Sequence, residues 1–123
     1  MRVLVADDDI HVRSALRLLL EQEPDVEIVG ESTTTDELLK QITETPACVV
    51  LVDWELPGLR HNGIVSKLRA TMPRIRLIAL SGRPEAQVEA QRAGLDGFIC
   101  KGDTPETLVA TIRAQCETAA PQQ

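Results

Sequence analysis

The sequence predicts an α/β fold, a doubly wound parallel sheet with helices on both faces, built as five successive β-α units. Two observations carry this prediction. Five short apolar runs (Val3–Ala6, Val26–Val29, Cys48–Val52, Ile75–Leu80 and Phe98–Cys100) alternate with longer segments of helical period. Several of these runs are continuous rather than alternating, as strands covered on both faces require, although Arg76 interrupts the fourth. Short connections and right-handed crossovers then make the sheet parallel.

The helices follow in order. Val12, Leu16, Leu19 and Leu20 share one face, with Asp9 placed to cap the helix. Leu38, Leu39 and Ile42 form a shorter stripe behind Thr34 and Thr35, with Asp36 and Glu37 in the first turn, where they favour the helix dipole. Ile64, Val65 and Leu68 form a third stripe. A fourth helix opens with Pro84 as its first helical residue and closes at Gly94, where a left-handed cap is needed. The fifth runs from Thr104 or Pro105 to Cys116, with Leu108, Val109 and Ile112 inward. Thr118 to Gln123 have no apolar period, so the expected organisation is one domain over 1–117 and a tail or linker start over 118–123.

Composition narrows the class. The 123 residues suit one domain, and with 43% hydrophobic residues the chain can build a real core. Trp54 and Phe98 are the only aromatics, so that core is aliphatic. A formal net charge of −6 argues against a nucleic-acid-binding surface on this chain. Cys48, Cys100 and Cys116 form no CxxC motif; Cys48 and Cys100 lie in apolar stretches and read as small buried hydrophobes. A reducing, cytoplasmic setting follows from that cysteine usage. The N-terminus reaches acid after four apolar residues, too few for a signal peptide. No stretch approaches the roughly 18 apolar residues that span a bilayer.

Ligands of an open parallel sheet gather outside the carboxyl ends of its strands. Those ends carry Asp7, Asp8 and Asp9, then Asp53, then Ser81 and Gly82, then Lys101. Singly each has an ordinary reading: a helix cap, a turn aspartate, a turn serine, a surface lysine. Together they make specific chemistry. Crowded carboxylates need a hard cation, and Mg²⁺ prefers oxygen ligands. With Asp53 as nucleophile toward a phosphoryl group, Lys101 can pair with one phosphoryl oxygen and Ser81 can donate to another. Gly82 leaves space beside them.

The strings Val3-Leu-Val-Ala-Asp7-Asp8-Asp9, Val49-Val-Leu-Val-Asp53-Trp-Glu-Leu-Pro57-Gly58, Leu77-Ile-Ala-Leu-Ser81-Gly82 and Ala93-Gly-Leu-Asp-Gly-Phe98-Ile-Cys-Lys101 resemble those of bacterial response-regulator receiver domains over about residues 2–116. The style is nearest to receivers that often precede a helix-turn-helix output domain. The resemblance implies a flavodoxin-like sheet of order 2-1-3-4-5 and phosphorylation of Asp53 by a sensor histidine kinase or phosphotransfer protein. It implies Mg²⁺ held by Asp8, Asp53 and the Glu55 backbone carbonyl, with Asp7 acting partly through water. Ser81 and Lys101 hold the phosphoryl group. Phe98, in the position of the family's switch aromatic, swings inward, and the face of the fourth helix, fifth strand and fifth helix changes; Phe98 also has the plainer reading of a core aromatic. Such a chain is a signalling domain rather than an enzyme, limited to phosphorylating and dephosphorylating itself. Its output comes from a partner or from a domain outside these residues, and dimerisation through the output face is compatible with it.

Two departures from the family pattern stand out. Gly102 follows Lys101 where many receivers have proline, and the loop Leu59-Arg60-His61-Asn62-Gly63 is longer and more basic than usual. His61 reads as solvated. Glu55 and Arg83, two residues beyond Asp53 and Ser81, are placed to pair as a lid across the pocket mouth and slow hydrolysis.

Rival readings are weaker. Asp7-x-Asp9 imitates the nucleophile motif of haloacid-dehalogenase-like phosphatases, but that leaves Asp53 without a role. A flavin-nucleotide module needs a hydroxyl-rich phosphate loop, which three aspartates would repel. A receiver acting only as a phosphorylation-independent scaffold keeps the fold without using the site.

Overall fold

The strand β3 (Val49–Asp53) is buried along its whole length, and its side chains feed two separate cores. Val50 and Val52 point into one cluster, Val49 and Leu51 into the other. In this computed structural model, which describes residues 1–61 and 63–119, the same alternation repeats on the neighbouring strands. These are β1 (Arg2–Ala6), β2 (Glu27–Ser32), β4 (Arg76–Ser81) and β5 (Gly97–Cys100). They pair in parallel in the order β2-β1-β3-β4-β5.

Helices α2 (Thr35–Glu44), α3 (Ile64–Thr71) and α4 (Ala86–Arg92) cover the first cluster with Leu38, Ile42, Ile64, Leu68, Ala86 and Ala90. Helices α1 (Ile10–Leu20) and α5 (Pro105–Ala119) cover the second with Leu16, Leu20, Leu108, Val109 and Ile112. Fold class and strand order agree with the reading of the sequence. Asp9 caps α1 by accepting from the His11 N–H at 2.8 Å. Thr34 caps α2, and Glu37 reaches back to the Thr33 N–H at 2.7 Å, close to a capping box.

Three boundaries differ from the sequence reading by two residues or more. β2 was expected over Val26–Val29, yet its pairing runs on to Ser32, because an edge strand keeps its hydrogen bonds after its apolar run has ended. Gly30 makes that extension fit: a Cβ there would meet Leu4 Cδ2 at 2.9 Å and Gln41 Oε1 at 3.1 Å. α4 begins at Ala86 rather than Pro84; tight turns come first, with Ala86 N–H donating to Arg83 O at 3.0 Å and Gln87 N–H to Pro84 O at 3.2 Å. Gly94 does close that helix in a left-handed conformation, at φ 97°. α5 continues past Cys116 to Ala119, so part of the expected tail is helical; residues 120–123 and Asn62 lie outside the described residues.

Cys48 and Cys100 are half-buried rather than buried, because each sits at a strand end, and Cys116 is the buried one. The long loop after β3 is held by successive turns (Leu59 N–H to Leu56 O, 3.0 Å; His61 N–H to Gly58 O, 3.2 Å) and anchored in the core by Leu56 and Leu59. Among the described residues, no helix is long and apolar enough to cross a membrane.

Candidate functional site

Asp7 leaves the end of β1 fully buried, and its surroundings explain how a carboxylate is kept there. Its N–H donates to Ser32 O at 3.0 Å, on the extension of β2. Its carbonyl accepts from Arg13 Nη1 at 2.8 Å, and its Oδ1 accepts from the Asp9 N–H at 2.9 Å. Glu31 holds that arginine from the far side, with Arg13 Nε at 3.3 Å. Asp9 is exposed and committed to capping α1, which removes it from any nucleophile pair with Asp7.

Asp53 ends β3 and is only 5% exposed. Its Oδ1 accepts from the Glu55 N–H at 3.1 Å. Ligand oxygens of Asp7, Asp8 and Asp53 all lie within 4.8 Å of one another, with Asp8 on the solvent side. Among the described residues, one cation pairs with these carboxylates: Lys101 Nζ stands 3.2 Å from Asp7 Oδ2 and 3.4 Å from Asp53 Oδ1. Burial, then the Asp7 charge, push the Asp53 carboxyl above its ordinary range, against the Glu55 N–H and Lys101. Burial pulls the Lys101 ammonium down, but the charges of Asp53 and Asp7 and their hydrogen bonds outweigh it and hold it above the ordinary lysine range.

Three carboxylates against one ammonium leave a shortfall of positive charge. Asp7 Oδ2 shows it directly, because the one partner of this buried oxygen among the described residues is the Lys101 ammonium at 3.2 Å. An all-oxygen cluster with such an atom fits a hard divalent cation of the Mg²⁺ type.

Ser81, fully buried at the end of β4, is not directed at Asp53. Its hydroxyl donates to Glu55 Oε1 at 3.0 Å and accepts from the Arg83 N–H at 3.1 Å. Arg83 Nη2 reaches Glu55 Oε2 at 3.0 Å and Glu89 Oε1 at 3.3 Å. Glu89 Oε1 also accepts from Trp54 Nε1 at 3.0 Å, while the Arg60 guanidinium lies 5.8 Å from the Trp54 ring centroid. The Trp54 and Arg83 hydrogen bonds hold the Glu89 carboxyl below the ordinary range. The structure therefore brings Glu55 and Arg83 together, and adds Glu89 and Trp54. Nothing in the sequence marked Glu89, the one acid on the exposed face of the short α4.

Phe98 is half-buried against the first core cluster, paired at the level of Ala79, two residues below Ser81. Beside Ser81, a Cβ built on Gly82 would meet nothing within 4 Å, so the space there is open. His61 is exposed, as read. After Lys101, where Gly102 stands instead of proline, Asp103 forms a clasp: its Oδ2 accepts from the Cys100 N–H at 3.0 Å, and its own N–H donates to Cys100 O at 2.9 Å.

Comparison with known proteins converges on one family. The family model described as response regulator receiver domain matches residues 3–113. The chain is 32% identical over 113 residues to an uncharacterized transcriptional regulatory protein, YhcZ, of Bacillus subtilis, covering 90% of this chain and 53% of that protein. It is 28% identical over 116 residues to the response regulator UvrY of Escherichia coli, covering 93% of this chain and 53% of the relative. The chain thus spans about half the length of the curated relatives it matches. Among solved structures, a LuxR-family two-component response regulator from Aurantimonas superposes with a TM-score of 0.85 at 26% identity, covering 95% of this chain and 85% of the other. With the strand order, the acidic cluster and the lysine already in place, these matches settle the family: the chain belongs to the response regulator receiver domains.

Proposed function

We propose that this domain is a phosphorylation-activated switch that accepts a phosphoryl group on Asp53 from a sensor histidine kinase or phosphotransfer protein. One observation carries the reading: a buried aspartate, clustered within 4.8 Å of two other carboxylates, with a lysine ammonium 3.4 Å away. An Asp53 oxygen forms the bond to phosphorus as the phosphorus–nitrogen bond of the donor breaks, and that electron pair returns to the imidazole. Mg²⁺, when bound, offsets the repulsion between the carboxylates and the phosphoryl oxygens. Asp8, Asp53 and the Glu55 backbone carbonyl would hold it, with Asp7 acting partly through water. Lys101 then pairs with a phosphoryl oxygen.

Ser81 must exchange its Glu55 partner for the phosphoryl group. Phe98 follows inward, and the α4–β5–α5 face changes. Glu55 and Arg83, freed of Ser81 but still paired, stand as a lid that hinders the hydrolytic water. Output passes to a partner, a second copy or a domain outside these residues, in a cytoplasmic setting.

Trp54, the only tryptophan, adjoins Asp53 and bonds to α4 through Glu89, so its fluorescence tests the reading. Titration with Mg²⁺ and then with beryllofluoride, which mimics the acyl phosphate, changes the emission in wild type and not in Asp53→Asn. Silence to both additions, or a full response surviving that substitution, overturns the proposal.

A further inference from the structure

Glu89 ties α4 to the rim of the pocket through a single oxygen. Its Oε1 accepts from the Trp54 indole N–H at 3.0 Å and from Arg83 Nη2 at 3.3 Å, and pairs with Arg60 Nη1 at 3.5 Å. Trp54 follows Asp53 directly and is 2% exposed, so α4 supplies the acceptor for a buried donor beside the pocket. Arg60 belongs to the basic loop after β3, and its guanidinium also lies 5.8 Å from the Trp54 ring centroid.

The same run of bonds continues to Ser81. Arg83 Nη2 bridges the two acids, reaching Glu55 Oε2 at 3.0 Å, with Arg83 Nε 3.3 Å from that oxygen. Glu55 in turn accepts from the Ser81 hydroxyl through both oxygens, at 3.0 Å and 3.2 Å. Glu89 on α4 therefore holds Arg83, Arg83 holds Glu55, and Glu55 holds the Ser81 hydroxyl.

We propose that Glu89 is a positioning residue that latches the domain at rest: by fixing Arg83 and Glu55 from α4, it keeps the Ser81 hydroxyl from the phosphoryl site. This inference rests on the phosphorylation reading of Asp53. Glu89 touches no reacting atom and acts through Arg83. When Ser81 turns to a phosphoryl oxygen, Glu55 loses a donor and the run of bonds that anchors α4 loses its far end. The coupling is reciprocal: a partner that draws α4 away from Trp54 and Arg83 frees Ser81 and tightens phosphoryl binding. At rest the latch lowers the apparent affinity for a phosphoryl group, because only molecules with Ser81 free are ready to bind it. Exposed ion pairs are individually modest, so the penalty is severalfold rather than orders of magnitude.

Beryllofluoride titration of the whole chain in Mg²⁺, read by fluorine NMR so that the signal does not depend on Trp54, tests the latch. Glu89→Gln keeps an amide oxygen for the Trp54 N–H and removes the charge that holds Arg83. Its titration midpoint falls by about twofold to fivefold relative to wild type, the size of a modest ion-pair contribution. Two further variants separate a latch from simple loss of charge. Glu85→Gln removes the same charge nearby, but Glu85 meets Arg83 at 3.9 Å through the other guanidinium nitrogen; this variant binds as wild type. In an Arg83→Ala background Glu89→Gln has no further effect, because the residue it acts through is gone. A wild-type midpoint for Glu89→Gln, an equal shift in Glu85→Gln, or an undiminished shift in the Arg83→Ala background would each overturn the latch and leave the Asp53 reading standing. A wild-type protein that binds no beryllofluoride overturns that reading and the latch with it.

Discussion

Asp53 and Asp96 are two largely buried carboxylates at opposite ends of the same sheet, and their surroundings are opposite in sign. Asp96, just before β5, accepts from the Leu77 N–H at 2.8 Å and pairs with Arg69 and, at 3.2 Å, with Arg76. One acid there has two guanidinium partners and a backbone donor. At the other end Asp53 shares a single lysine with Asp7, and Asp8 stands beside them. The first arrangement stabilises the fold by clamping α3, β4 and β5. The second leaves charge unbalanced and keeps the pocket open to a cation. Charge balance, rather than burial, separates the structural aspartate from the one proposed to react.

Removing each acid in turn breaks the comparison most directly. Asp96→Ala costs about 2–3 kcal/mol, because it strands the Leu77 N–H and removes the acid between two arginines; urea unfolding measures this. Asp53→Asn has the opposite sign and stabilises the metal-free protein by about 1 kcal/mol near neutral pH. The sign follows from the raised Asp53 pKa: the ionised acid costs more in the folded than in the unfolded chain. The gain is therefore absent below the ordinary aspartate range near pH 4, where both states are protonated, and complete above the folded pKa. Thermal unfolding across pH checks this, and Mg²⁺ raises the melting temperature of wild type but not of the variant.

Smaller effects sharpen the contrast. Asp103→Ala loosens the loop after Lys101 and costs about 1 kcal/mol in urea unfolding, since it removes the acceptor of the Cys100 N–H. Arg83→Ala barely alters stability, because its pairs with Glu55 and Glu89 are exposed. It shortens the lifetime of the phosphorylated state by up to about fivefold, which corresponds to about 1 kcal/mol of barrier. An unchanged lifetime discards the lid.

Much of this molecule was legible in its residues. The continuous runs Val3–Ala6 and Val49–Val52 mark strands buried on both faces, and the polar residues that end them mark the pocket rim, because a parallel sheet collects its strand ends on one edge. Asp7, Asp8, Asp53 and Lys101 needed only that rule. Pro84 misled because a residue suited to opening a helix also suits the turn before it. Ser32 was missed because an edge strand is bound by backbone groups, which leave no side-chain pattern.

The sequence by itself determined the fold class, the strand order through its family likeness, and the carboxylates and lysine of the pocket, since these follow from local apolar periodicity and from where each run stops. Only the tertiary structure decided that Ser81 rests on Glu55 and that Glu89 joins Trp54 and Arg83. Each of these joins residues on different elements. Such pairs depend on how the helices settle on the sheet, which no local period records.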